Sequence, residues 1–129
     1  MILVDTSVWV LTFRARPPFR LEAVVDFAEI ATCPPVVQEI LQGFTEERAY
    51  RLAREAVLAL PIVDTPLPLA VFEEAANLFR AARRQGFTVR SSVDCLIAAS
   101  AIRHDLEVLH RDRDFGLLAR VSPLRQRAV

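Results

Sequence analysis

Residues 106–115 read LEVLHRDRDF. Leu106 to Leu109 is a short run that is apolar apart from Glu107, close to how a parallel strand buried on both faces reads. Phe115-Gly116-Leu117-Leu118 is apolar again and suits the start of a helix. Between the two runs stand two carboxylates, Asp112 and Asp114, alternating with two guanidiniums, Arg111 and Arg113. A helix start needs one Asp or Ser as a cap. Two acids and two arginines are more than a turn requires, so this strand end is a place to look for chemistry.

Three other runs share the first half of that pattern. MILV (1–4) ends at Asp5, IATC (30–33) ends at Pro34-Pro35, and LPIV (60–63) ends at Asp64. Helical periodicity fills the gaps. Val36, Val37, Ile40, Leu41 and Phe44 follow Pro34-Pro35, a pair that suits a helix start. Ala49, Leu52, Ala53, Ala56, Val57 and Leu60 form a second stripe. Leu69, Phe72, Ala76 and Phe79 form a third, stopped near Gly86, and Val93, Leu96, Ile97 and Ala101 a fourth. Strands alternating with helices predict an α/β fold, with a central parallel sheet of four or five strands covered on both faces.

The chain has 129 residues, the size of one domain, so 1–129 is expected to fold as a single unit. Hydrophobic residues make up 53% of it, enough for a substantial core. No apolar run is long enough to span a bilayer and the start has no signal-peptide pattern, which predicts a cytoplasmic protein with no membrane partner. Cys33 and Cys95 fit no zinc spacing and read as two buried thiols. Sixteen acids balance sixteen bases, which argues against a histone-like partner while leaving room for a local basic patch. Every one of those bases is Arg, and the chain contains no Lys.

The carboxylates gather at one edge. In an open parallel sheet, ligands bind beyond the carboxyl ends of the strands. Asp5 ends the first strand, Glu39 lies about one turn into the helix after the second, Asp94 opens a later helix, and Asp112 and Asp114 follow the fourth run. Each has an ordinary explanation by itself. Asp5 and Asp112 or Asp114 suit helix caps, Asp94 suits the third helical position of a capping-box variant after Ser91, and Glu39 suits a solvated flank. As a group they would repel, and a divalent cation relieves that repulsion. Hard cations such as Mg²⁺ and Mn²⁺ take oxygen ligands. With only His104 and His110 and no Cys pair, a zinc site is not expected.

The stretches MILVDTSVWV, VVQEILQGF and SSVDCLIAASAIRHDLEVLHRDRDF together resemble the PIN-domain family, and more narrowly its VapC-type toxins of toxin–antitoxin pairs. The ordered set carries the resemblance: Asp-Thr-Ser after a first strand, Glu-x-x-x-Gly in a helix, Ser-x-x-Asp opening a later helix, and Asp-x-Asp-Phe after a strand. It runs from Met1 to about Leu118.

The resemblance implies a three-layer α/β/α domain and an endoribonuclease that cuts single-stranded RNA with a water activated by Mg²⁺ or Mn²⁺. It maps the catalytic, metal-holding acids to Asp5, Glu39, Asp94 and Asp112. Thr6 and Asp114 are implied as supporting residues, with Asp112 placed ahead of Asp114 as the fourth ligand. His110 stands where the family commonly has Thr. On this reading His104 and His110 take no part in the chemistry, and His110→Ala is expected to keep much of the activity. Arg111 and Arg113 turn away from the metal, toward a salt partner, the RNA backbone or solvent. A homodimer and a small cognate antitoxin that blocks the site are implied as partners.

Other classes remain open beside this one. A phosphoacceptor switch also builds an acidic strand-end cluster, but those families characteristically use a Lys that this chain lacks. A PIN-like module that binds RNA or a partner without cutting is the main alternative, and the full set of acids counts against it. A DNA nuclease on the same fold is a third, though flap-threading elements have no room in 129 residues.

Overall fold

The structure is a computed structural model that describes residues 1–129. Its centre is a four-stranded sheet, all parallel: β1 (Ile2–Val4), β2 (Ile30–Ala31), β3 (Glu107–His110) and β4 (Gln126–Ala128). The spatial order is β2-β1-β3-β4. Leu3 pairs with Ala31 on one side and Val108 on the other, and Leu109 pairs with Arg127. Leu3, Val4, Val108 and Leu109 are fully buried, as expected of strands covered on both faces.

Six helices connect and cover the sheet: α1 (Thr6–Thr12), α2 (Pro34–Leu41), α3 (Glu47–Leu58), α4 (Leu69–Arg84), α5 (Ser92–Arg103) and α6 (Arg113–Ala119). Pro34 and Pro35 occupy the first turn of α2, where a missing N–H costs nothing. Past the end of α4, Gly86 takes φ +80°, a left-handed conformation that glycine adopts without Cβ strain. Leu3, Val36, Ile97, Val108, Phe115 and Leu118 belong to one continuous core.

Three sequence expectations change. LPIV is not a strand: Ile62 makes only an isolated parallel bridge to Thr32. Pro61 has no N–H to extend a ladder, and Asp64 turns the chain away at φ +55°. The fourth strand is β4, at the opposite edge, where Gln126-Arg127-Ala128 carries no apolar run. The third stripe divides, with Phe79 packed partly buried against the core. Leu69 and Phe72 are exposed, while α4 buries Val71, Ala75, Leu78 and Ala82. On α3, Leu52 is likewise exposed and Ala53 and Val57 are buried.

The sheet order positions the site. From β1 the chain crosses toward β2; from β3 it crosses the other way, toward β4. The gap beyond the carboxyl ends of β1 and β3 is therefore the switch point, where an open α/β sheet leaves a crevice. Asp5 follows β1 there, and Asp112 and Asp114 follow β3.

Candidate metal centre

Each acid is held by the element that delivers it. Asp5 is the N-cap of α1; its Oδ2 accepts the Ser7 amide at 3.0 Å and the Ser7 hydroxyl. The Asp5 amide donates to the Leu109 carbonyl at 2.9 Å, which locks it beside the end of β3. Asp112 is the N-cap of α6, its Oδ1 accepting the Asp114 amide at 3.0 Å. Ser91 caps α5 by accepting the Asp94 amide at 3.3 Å, so Asp94 stands at the third helical position. Acids in a first turn also gain from the positive end of the helix dipole.

These bonds leave several carboxylate oxygens without a partner. Asp5 Oδ1, Asp94 Oδ2 and Asp114 Oδ1 are buried without a hydrogen-bond partner. A buried, unpartnered carboxylate oxygen is costly unless something else satisfies it. Asp94, Asp112 and Asp114 each offer an oxygen, and these atoms lie within 4.8 Å of one another. The structure thus unites both strand-end acids with Asp94. Asp5 and Glu39, also expected as ligands, are not among these three, although the charge of Asp112 reaches both. Glu39 is partly buried on α2, and its Oε1 accepts the Thr6 hydroxyl at 3.0 Å. That bond ties the start of α1 to α2.

The electrostatics match crowding. Burial pushes the Asp94 carboxyl up to about 9, and the charges of Asp112 and Asp5 add to the rise. Asp5 and Glu39 are also raised, in both cases first by burial, against hydrogen bonds from Ser7 and Thr6 that lower them. Asp112 charge adds to each rise. An oxygen-only set with unsatisfied atoms and mutually raised pKa values fits a hard divalent cation such as Mg²⁺ or Mn²⁺. Cys33 and Cys95 are free and buried, with thiols pushed up by burial to about 12 and about 11, and neither belongs to the acidic trio.

The surroundings include residues that sequence reasoning left unassigned. Ser7 Oγ accepts the Arg111 amide at 2.9 Å while donating to Asp5, which ties the β1–α1 turn to the β3–α6 turn. Its signal was the Asp-Thr-Ser triplet. His110 is buried and accepts the Asp112 amide through Nδ1 at 3.1 Å. Arg111 and Arg113 are exposed, and neither has a carboxylate within ion-pair distance.

The chain is similar to known proteins. The PIN domain family profile matches residues 2–121. A VapC ribonuclease of Mycobacterium bovis and ribonuclease VapC11 of Mycobacterium tuberculosis are each 42% identical to the chain over 130 residues, covering 97% of this chain and 96% of theirs. Among solved structures, VapBC2 from Rickettsia felis bound to a promoter DNA fragment superposes with a TM-score of 0.78 at 18% identity, over 100% of this chain and 99% of that one. Mycobacterium tuberculosis VapC20, a sarcin–ricin loop cleaving toxin, gives 0.70 at 20% identity, over 97% and 99%. These two likenesses show the fold. With the profile spanning residues 2–121 and 42% identity along 97% of its length, the chain belongs to the PIN-domain family and, within it, to the VapC ribonucleases.

Proposed function

We propose that residues 1–129 form a single-domain endoribonuclease, dependent on Mg²⁺ or Mn²⁺, that cuts single-stranded RNA and serves as the toxin of a VapBC-type pair. The observation that carries this reading is the meeting of Asp94, Asp112 and Asp114 oxygens within 4.8 Å at the crevice where Asp5 also ends its strand. Asp5, Glu39, Asp94 and Asp112 hold the cation, with Asp114 beside them and Thr6 orienting Glu39. When bound, Mg²⁺ or Mn²⁺ supplies a water of lowered pKa and positive charge for the phosphoryl oxygens.

The chain's own residues do the rest. The Asp5 and Asp112 caps fix two carboxylates on rigid helix starts, so the ligand set is preorganised. Arg111 and Arg113, free of acidic partners, are available to phosphates beside the site. His110 has no ring nitrogen free to act as a base for the ribose 2′-hydroxyl, and His104 is paired with Asp64. His104 Nε2 lies 2.8 Å from Asp64 Oδ1, and both ring nitrogens of His110 are engaged. Products with 5′-phosphate and 3′-hydroxyl ends follow, without a cyclic phosphate.

The partners follow the family. A cognate antitoxin is supported by the VapBC composition of solved neighbours such as VapBC2. A homodimer is supported by α4, whose Leu69 and Phe72 are 72% and 46% exposed. No helix is long and apolar enough to cross a membrane, in keeping with a cytoplasmic setting.

The test is incubation with end-labelled single-stranded RNA in Mn²⁺ or EDTA, with fragment ends read by mass spectrometry. Cleavage that survives EDTA, or fragments ending in 2′,3′-cyclic phosphate, would sink this mechanism.

A further inference from the structure

The strand that sequence reading missed reaches the acidic cluster through one side chain. Gln126 opens β4. Its Oε1 lies 2.6 Å from His110 Nε2, at the end of β3. The other ring nitrogen, Nδ1, accepts the Asp112 amide at 3.1 Å. An amide can only donate, so Nδ1 is bare, and in the neutral ring the proton sits on Nε2 and is donated to Gln126. His110 is also fixed by its main chain: its carbonyl accepts the Val129 amide at 3.0 Å, and it pairs in register with Ala128. The ring stands 5.1 Å from that of Phe115, itself fully buried. It therefore has one orientation available.

The bonds continue beyond Asp112. Asp112 Oδ1 accepts the Asp114 amide at 3.0 Å. Asp114 Oδ2 accepts the amides of Arg90 and Ser91, at 3.0 and 3.1 Å. Ser91 Oγ accepts the Asp94 amide. One path thus runs from the C-terminal strand through His110 to all three clustered acids.

We propose that His110, held by Gln126 of β4, is a positioning residue that sets the Asp112 main chain and with it the geometry of the Asp94, Asp112, Asp114 cluster. A buried imidazole is tolerated because both nitrogens are satisfied. Partners one step behind a metal ligand characteristically change metal affinity or activity by about 10–100-fold. His110→Ala is accordingly expected to lose more activity than the sequence alone suggested.

The activity and metal readouts rest on the nuclease reading above; the ring tautomer does not. Long-range ¹⁵N–¹H NMR of the histidine rings at neutral pH should show His110 with a bare Nδ1 and a protonated Nε2. Mn²⁺ affinity, followed by the electron-spin resonance of the free ion, should fall about 10–100-fold in His110→Leu, with kcat reduced and KM for RNA little changed. His110→Asn should recover both to within a few-fold, because its Oδ1 can accept the amide two residues on, as in an Asx turn. Gln126→Leu should fall between, and it carries the test if His110→Leu does not fold.

A protonated Nδ1 would overturn the proposal. So would wild-type Mn²⁺ affinity and kcat in both Leu variants, or His110→Asn no better than His110→Leu. A wild-type protein that neither binds Mn²⁺ nor cuts RNA would sink the nuclease reading instead, and the tautomer would then decide the positioning claim.

Discussion

Asp114 Oδ2 accepts the Ser91 amide at 3.1 Å. Because it accepts the Arg90 amide as well, this buried carboxylate clamps the entry to α5 while its Oδ1 stays unpartnered. Asp112 has a lighter structural duty, one capping bond to the Asp114 amide. The two acids of the strand-end pair therefore differ in how they respond to replacement.

Asp112→Asn keeps the cap, since Asn serves at an N-cap about as well as Asp. It should lower metal affinity and kcat/KM sharply while leaving the denaturant midpoint nearly unchanged. Asp114→Ala strands two amides and should cost about 2–4 kcal/mol as well as activity. Urea unfolding alongside Mn²⁺ titration separates these outcomes. Equal midpoints for wild type and Asp114→Ala would show that the clamp contributes nothing.

Asp94 gives a pH prediction with a fixed sign. Its folded pKa, about 9, lies above an unfolded value near 3.9. In metal-free protein it therefore contributes stability that is fully present below about 3.9 and is lost as pH rises toward 9. Asp5 and Glu39 shift in the same direction. Melting temperature in EDTA should fall from pH 5 to pH 9, and the stabilisation by added Mn²⁺ should grow over the same range as the cation displaces protons. Asp94→Asn should flatten both trends. A melting temperature that rises with pH in EDTA would contradict the raised values.

Thr6 and Glu39 form the next pair. Thr6→Val removes the hydroxyl that Glu39 Oε1 accepts and substitutes a methyl of similar shape. Stability should change by about 1 kcal/mol or less. Activity should fall roughly 10-fold, as when a metal ligand is deprived of its supporting partner. Single-turnover cleavage at saturating Mn²⁺ measures this; an unchanged rate would reduce Thr6 to a helix-start residue.

Asp5, Asp94, Asp112 and Asp114 were legible in the sequence because each occupies a place that sequence marks, a strand end or a helix start; Glu39, inside α2, stood out only through the Glu-x-x-x-Gly of the family pattern. Their supporting bonds were not. His110 is one imidazole with no periodic signature, and its partner Gln126 lies in an edge strand with no apolar run. The sheet was legible where strands are buried on both faces, as at Leu3 and Leu109, and failed at β4 for the opposite reason. LPIV has the right composition but a proline where a ladder needs a donor. On α4, apolar residues at both Leu69-Phe72-Phe79 and Val71-Ala75-Leu78 satisfy helical spacing, so periodicity found the helix without choosing its buried face.

That outward face carries a prediction of its own. Exposed Leu69 and Phe72 make α4 a candidate contact between two copies of the chain. Light scattering of the isolated protein at micromolar concentration should show a dimer, and Phe72→Glu should shift it toward monomer by burying a charge. A monomer at that concentration in the wild type would remove α4 from this role.

RNA binding is the remaining relationship, and charge decides it. Arg111 and Arg113 flank Asp112 on the exposed β3–α6 turn, and neither is committed to an acid. Beside a cluster of carboxylates, such guanidiniums offer a phosphate chain local attraction. Replacing both with Ala should raise KM for RNA and leave kcat nearly unchanged, because neither side chain holds the cation. It should also flatten the salt dependence of binding, by about 0.7 in log–log slope for each single-strand phosphate that the variant no longer neutralises. Cleavage rates measured across RNA and salt concentrations separate the two parameters. A double variant with wild-type KM and salt slope would leave these arginines as solvated loop charges, whereas a collapse of kcat would mean that the turn itself had moved and carried Asp112 with it.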